Sequence, residues 1–309
     1  MSLDAYQRYL VEEFAQDYLA RRMSRRDLLR RALQVTGSVP LTASVLFALG
    51  CGGGSEPEPT PTATPAPQPT PTATAAAGRV PENDPAISVE TARFQGPASQ
   101  LIAYLARPSA PGTYPGVVVI HENRGLVEHI KDVARRYAKE GFVALAVDLG
   151  SRGGGTGSGG SPTGVGTAEN VADLLANVAY MKGLAYVRAN ALGVTGFCFG
   201  GGMTWELAVA SADLKAAVPY YGTASGVLDR LVQLQAAVLV VYGGSDTRIT
   251  GERPQVEERL RAAGKTYEIK VYDGAGHAFF NDTGASYNAA AAADAWQSTL
   301  AWFRRHLPA

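Results

Sequence analysis

Two cysteines occur in the 309 residues, Cys51 and Cys198, and the second sits where a nucleophile could. It lies in Gly196-Phe197-Cys198-Phe199-Gly200, between an apolar run at 191–195 and a helical pattern at 200–211. A glycine two residues to either side lets a strand turn sharply into a helix, because neighbouring backbone comes too close for a Cβ. Such a turn lifts Cys198 out of the chain and aims a helix N-terminus at it. The positive end of the helix dipole favours a thiolate and a developing oxyanion. Phe199 N–H is the first oxyanion donor expected, and an N–H near Glu122 the second. Asp246 in Tyr242-Gly243-Gly244-Ser245-Asp246 and His277 in Asp273-Gly274-Ala275-Gly276-His277 each follow an apolar run. An acid and a histidine in those places could orient a base and activate water. His306 ends the last helical pattern and His129 falls on an exposed-looking one, so neither competes. Blander readings exist: a lone cysteine is often a small buried hydrophobe, and Asp246 could cap a helix over 252–263.

The elements that must position these residues occupy 79–309, 231 residues with 21 basic and 21 acidic side chains. Strands are expected at 88–94, 101–107, 116–121, 142–147, 191–195, 215–220, 237–242 and 267–272. Val117-Val118-Val119-Ile120 and Val238-Leu239-Val240-Val241 are the continuous apolar runs of strands buried on both faces. Amphipathic helices are expected near 127–140, 167–183, 200–211, 252–263 and 285–306. This alternation predicts an α/β fold, a mostly parallel central sheet of about eight strands with helices on both faces. Two strands before the first helix suggest an antiparallel N-terminal edge. Active sites in such sheets gather at the carboxyl ends of the strands. The glycine-rich stretch 153–166 holds a formal G-x-G-x-x-G at Gly155-Thr156-Gly157-Ser158-Gly159-Gly160. It lacks the strand-to-helix context and acidic partner of a dinucleotide site, and reads as a flexible rim. No H-E-x-x-H or cysteine-rich set occurs, so no cofactor and no metal are expected.

Gly-Phe-Cys-Phe-Gly-Gly, with His121-Glu122-Asn123-Arg124-Gly125 after strand 116–121, resembles the dienelactone hydrolase family. The order Cys, Asp, His is that of α/β-hydrolases, and the likeness runs over nearly all of 88–307, including the closing Gly-His-Ala-Phe. It implies a triad of Cys198, Asp246 and His277. It implies that Glu122 controls ionisation of the thiol, although a salt-bridge role for Glu122 stays open. A substrate-carboxylate arginine maps onto Arg152 in Asp148-Leu149-Gly150-Ser151-Arg152. Where the dienelactone-specific enzymes carry a second arginine, four residues after the histidine, this chain has Asn281. The implied activity is cofactor-free cleavage of a small-molecule ester or lactone through a thioester, as in a carboxymethylenebutenolidase.

The first 51 residues contain seven arginines and no lysine, six of the arginines between Arg21 and Arg31. A 15-residue apolar run at 35–49 follows, shorter than the roughly twenty residues a spanning helix needs. Ser24-Arg25-Arg26-Asp27-Leu28-Leu29-Arg30 resembles a twin-arginine export signal, and Phe47-Ala48-Leu49-Gly50-Cys51 a lipoprotein box. That resemblance implies the twin-arginine machinery as a partner and lipidation at Cys51. The protein would then be anchored to the outer face of the cytoplasmic membrane, or secreted. Residues 52–78 carry seven of the 18 prolines and nothing aromatic, the composition of a disordered tether. The expected organisation is thus a signal at 1–51, a tether at 52–78 and one hydrolase domain at 79–309.

Charge balances at 28 basic and 28 acidic residues, so no global field points to nucleic acid. A monomer is expected. The rival to an exported hydrolase is a tethered binding lipoprotein or a catalytically degenerate hydrolase module.

Overall fold

A computed structural model describes residues 5–19, 23–49 and 78–308. It divides into two units, Met1–Arg79 and Val80–Ala309. The expected lipidation site Cys51 and the tether at 52–77 lie outside the described residues. In the first unit the helices are α1 (Ala5–Leu19), α2 (Arg25–Thr36) and α3 (Val39–Ala48). Ser24 caps α2 by accepting the Asp27 N–H at 3.2 Å, and Gly37 closes it in the left-handed conformation at φ 63°. Among the described residues no helix is long and apolar enough to cross a membrane.

The second unit is built on an eight-stranded sheet. In chain order its elements are β1 (Ile87–Gln95), β2 (Gln100–Pro108), β3 (Tyr114–Ile120), α4 (Glu128–Lys139), β4 (Val143–Asp148), α5 (Thr167–Lys182) and β5 (Val187–Phe197). They continue with α6 (Phe199–Ala210), β6 (Leu214–Tyr220), β7 (Ala237–Gly243), α7 (Thr247–Thr250), α8 (Arg253–Ala262), β8 (Tyr267–Tyr272) and α9 (Ala289–His306). The spatial order is β1-β2-β4-β3-β5-β6-β7-β8. The β1–β2 and β2–β4 pairs are antiparallel and the remaining five are parallel, as expected of the N-terminal edge.

Packing follows from the sequence pattern. Val117 to Ile120 on β3 and all of β4 and β7 are buried, because helices cover both faces of those strands. Tyr137 of α4 meets Trp296 and Phe303 of α9 through its ring, so these two helices share one face. α5 and α6 cover the opposite face, since right-handed crossovers leaving β4 and β5 in the same direction must land together. The chain moves from β3 one way to β4, then back past β3 to β5 and on to β6. The topological switch therefore lies between β3 and β5, and their carboxyl ends flank the crevice where such sheets bind ligands. Glu122 follows one of those strands and Cys198 the other.

Two local expectations change. α4 is buried at His129, Asp132 and Arg135 as well as at its apolar residues, so His129 is not on an exposed helix. Polar partners compensate that burial. Asp132 accepts the Val80 N–H at 2.8 Å, Arg135 Nε donates to the Val80 carbonyl at 2.6 Å, and Arg136 bonds Asp132 and Asp282 at 2.8 Å each. His129 Nδ1 lies 3.1 Å from Asp282 Oδ1. The glycine-rich stretch is likewise not a loose rim. It forms three short 3-10 turns at Ser151–Gly153, Thr156–Ser158 and Pro162–Gly164. The Asp148 carboxylate, at the end of β4, pins the stretch by accepting Gly150 N–H (2.9 Å), Thr156 N–H (2.7 Å) and Thr156 Oγ1–H (2.7 Å).

Candidate active site

β5 runs straight into α6 with only Cys198 between them. The turn forces Cys198 to φ 56° and ψ −116°, a conformation an L-residue rarely adopts. The two motif glycines make that turn possible. A Cβ on Gly196 would collide with the Gly200 carbonyl, and one on Gly200 with the carbonyls of Ile120 and His121. The second collision also shows how the elbow leans on the end of β3. Cys198 N–H donates to the Tyr220 carbonyl at 3.1 Å, which fixes the elbow to β6 as well. Phe199 begins α6, so the helix N-terminus faces Cys198 as the glycine spacing predicts.

Asp246 stands at the N-cap of α7 but makes no side-chain cap bond there. Its buried carboxylate instead holds His277, with Nδ1 2.5 Å from Oδ2. The loops carrying the pair are tied together: Ser245 N–H donates to the Ala275 carbonyl at 2.9 Å. A ring nitrogen of His277 lies within 4.8 Å of Cys198 Sγ. Cysteine, histidine and aspartate are therefore brought together in the order needed for a relay.

Glu122 lies at the mouth of the crevice just past β3, buried, with Oε2 accepting Asn281 Nδ2–H at 2.7 Å. The Asn281 amide cannot turn round, because its Oδ1 accepts both Thr283 N–H (3.0 Å) and Thr283 Oγ1–H (2.6 Å). A neutral amide thus holds the Glu122 carboxylate. Neighbouring His121 is fully buried and bridges the ends of β3 and β4. Its Nδ1–H donates to the Glu122 carbonyl at 2.7 Å, and Nε2 accepts the Leu149 N–H at 3.1 Å. Burial pushes its pKa down, and an Nε2 that accepts a hydrogen bond carries no proton, so the ring is neutral.

Arg152 is engaged elsewhere. Its guanidinium grips Asp173 of α5 with two bonds, Nε to Oδ2 at 2.8 Å and a terminal nitrogen to Oδ1 at 3.0 Å. The fork that was to take a substrate carboxylate is occupied by a protein carboxylate. Sequence reasoning missed this because Asp173 sits 21 residues on, inside a helical pattern. It also passed over Tyr221, which follows β6 at the same edge as Cys198. Its position past a buried strand at the carboxyl edge was the available signal.

The model of the family described as "Dienelactone hydrolase family" matches residues 101–307. The chain belongs to the dienelactone hydrolase family. It is 39% identical over 222 residues to a protein of Methylorubrum extorquens bearing the provisional name carboxymethylenebutenolidase, covering 66% of this chain and 76% of that one. It is 34% identical over 231 residues to a Bradyrhizobium protein provisionally named 2-oxo-3-(5-oxofuran-2-ylidene)propanoate lactonase, covering 67% and 90% of the two chains. Among solved structures, a provisionally named dienelactone hydrolase from Klebsiella pneumoniae superposes with a TM-score of 0.67 at 36% identity. That match covers 72% of this chain and all of the other. The fold is that of this family and of α/β-hydrolases, and the chain is a carboxymethylenebutenolidase-like hydrolase.

Proposed function

We propose that the protein hydrolyses a small-molecule ester or lactone through a cysteine nucleophile. The observation that carries this reading is the His277–Asp246 pair, 2.5 Å apart, with a His277 ring nitrogen within 4.8 Å of the sulfur of Cys198 on its strained elbow. Glu122 takes the thiol proton, and the thiolate attacks the carbonyl carbon. The N–H of Phe199 and a backbone N–H beside Glu122 hold the oxyanion. Glu122 passes that proton on to the departing alcohol, leaving a thioester on Cys198. His277 then draws a proton from water, which attacks the thioester, and returns it to the sulfur as the acid leaves, while Asp246 keeps the ring oriented and stabilises its charged form. The relatives' names support a lactone or enol ester among the substrates.

The test is p-nitrophenyl acetate turnover by the full chain and its Cys198→Ala variant. Turnover lost in the variant supports the reading, and turnover equal to the parent's refutes it. A degenerate hydrolase module would show no turnover in either chain.

The sequence before the second unit supports a location as well. We infer export by the twin-arginine route and lipidation at Cys51, from the arginine pair before an apolar run that ends in Gly50-Cys51. The mature protein should then fractionate with membranes, and Cys51→Ser should release it. Parent protein found wholly in the cytosol would refute the inference.

A further inference from the structure

β6 ends at Tyr220, which pairs with Phe197 at the end of β5, so the next residue, Tyr221, stands beside Cys198. Tyr221 has φ 36°, unusual for a bulky side chain, and its N–H is fixed to the Val241 carbonyl at 2.8 Å. The ring is wholly buried, 5.5 Å from Phe279 and edge-on to the His277 imidazole at 5.1 Å. At its tip, Oη is buried near the Phe280 backbone N–H, and its own proton meets no acceptor among the described residues. A strained backbone and a buried hydroxyl proton without an acceptor at one residue each disfavour the fold, and such features collect at functional sites.

Two groups on other elements explain what the hydroxyl faces. Burial first, and after it the charges of Glu122, past β3, and of Cys198, past β5, push the phenol well above its ordinary pKa. Tyr221 therefore keeps its proton at every working pH and is a permanent donor. Glu122 is the complement: Oε2 is taken by Asn281, while Oε1 is buried without a hydrogen bond among the described residues.

Resting on the reading of Cys198 as the nucleophile, we propose that Tyr221 is a catalytic residue whose hydroxyl donates a hydrogen bond to the Cys198 thiolate. The S–H bond breaks, the proton forms an O–H bond at Glu122 Oε1, and sulfur keeps the electron pair. Tyr221 O–H then turns onto sulfur and retains its own proton. Within this unit the sulfur also meets the N-terminus of α6 and His277 past β8, with Asp246 behind it, and Glu122 is the base that takes its proton. Of these side chains, Tyr221 alone is a neutral donor throughout the reaction.

The test is Tyr221→Phe in the full chain, which removes the hydroxyl and nothing else. Iodoacetamide alkylation of Cys198 is followed by mass spectrometry of its peptide from about pH 5 to pH 10, spanning the ordinary thiol range. The midpoint is expected to rise by about one pH unit, the size of a hydrogen bond to a charged group. Alkylation at pH 7 should be roughly tenfold slower and should recover in alkali. The melting temperature should hardly move, because the hydroxyl proton had no acceptor; the same shift in a Tyr221→Leu variant guards against a packing defect. An unmoved midpoint, or a loss equal at every pH, overturns the proposal. Cys198→Ala separates the two readings. Turnover lost in that variant with an unmoved Tyr221→Phe midpoint overturns the Tyr221 role alone. Turnover retained in Cys198→Ala overturns the nucleophile on which it rests.

Discussion

Arg152→Ala offers a direct contest between a substrate-binding and a structural arginine. Asp173 is 1% exposed while the Arg152 side chain is 23% exposed, so the change strands a buried carboxylate beside a partly wet gap. Stranding one member of a fully buried pair costs about 3–5 kcal/mol, and water reaching the arginine side lowers this to about 1.5–3 kcal/mol. In a unit of 230 residues, each kcal/mol moves the melting temperature by roughly 2–4 °C, so a fall of roughly 3–12 °C is expected. Removing both partners in Arg152→Ala/Asp173→Leu should recover much of it, since no charge is then left alone. The assay pairs thermal unfolding with KM for two esters of one alcohol, one bearing a carboxylate and one neutral. The ratio of the two KM values should not move. A melting temperature within 1 °C of the parent, together with a tenfold rise in KM for the carboxylate ester alone, would refute the reasoning, because Arg152 would then exchange Asp173 for substrate.

Other residues give sharper chemical contrasts. Asn281→Asp places a carboxylate 2.7 Å from Glu122, and two like charges at that distance share a proton; ester turnover at pH 7 should fall at least tenfold, and an unchanged pH–rate profile would contradict the base role of Glu122. His121 has its pKa depressed by burial, so the unfolded chain binds its proton first and stability declines as pH falls below about 6.5, by at most about 1.4 kcal/mol per pH unit. In His121→Gln, urea unfolding should show a shallower acid slope; an identical slope would remove His121 as the source. Gly200→Ala drives a Cβ into the Ile120 and His121 carbonyls, and a loss of about 3 kcal/mol or more is expected. Unaltered unfolding of Gly200→Ala would mean the elbow has room beside the Ile120 and His121 carbonyls for a methyl group.

Much of this arrangement was legible in the chain itself. Gly196 and Gly200 announce the elbow because their reason is steric and local: no other residue clears the crossing backbone. Val117 to Ile120 and Val238 to Val241 announce buried strands because only two covered faces justify four apolar residues in succession. What was not legible depends on distant partners. His129 reads as exposed in Glu128-His129-Ile130-Lys131-Asp132, and only Asp282, 153 residues on, reveals why it is buried. The glycines of 153–166 suggest mobility, whereas one carboxylate, Asp148, organises the stretch through bonds no composition encodes. The place of Arg152 after Asp148-Leu149 suggests a substrate partner, whereas the bidentate grip of Asp173 is a tertiary fact. Asn281 stood out only as a departure; its tie to Glu122 needed the Thr283 bonds that fix its amide.

The central claim is a covalent acyl-enzyme on Cys198. Replacing His277 by alanine removes the group that activates water while leaving the thiol and Glu122 in place, so the intermediate should accumulate. Mixed with p-nitrophenyl acetate and quenched in acid, His277→Ala is expected to carry one acetyl group, located on the Cys198 peptide by mass spectrometry and released by hydroxylamine as a thioester is. An unmodified Cys198 in that variant, with nitrophenol still released by a parent chain of full activity, would contradict the account.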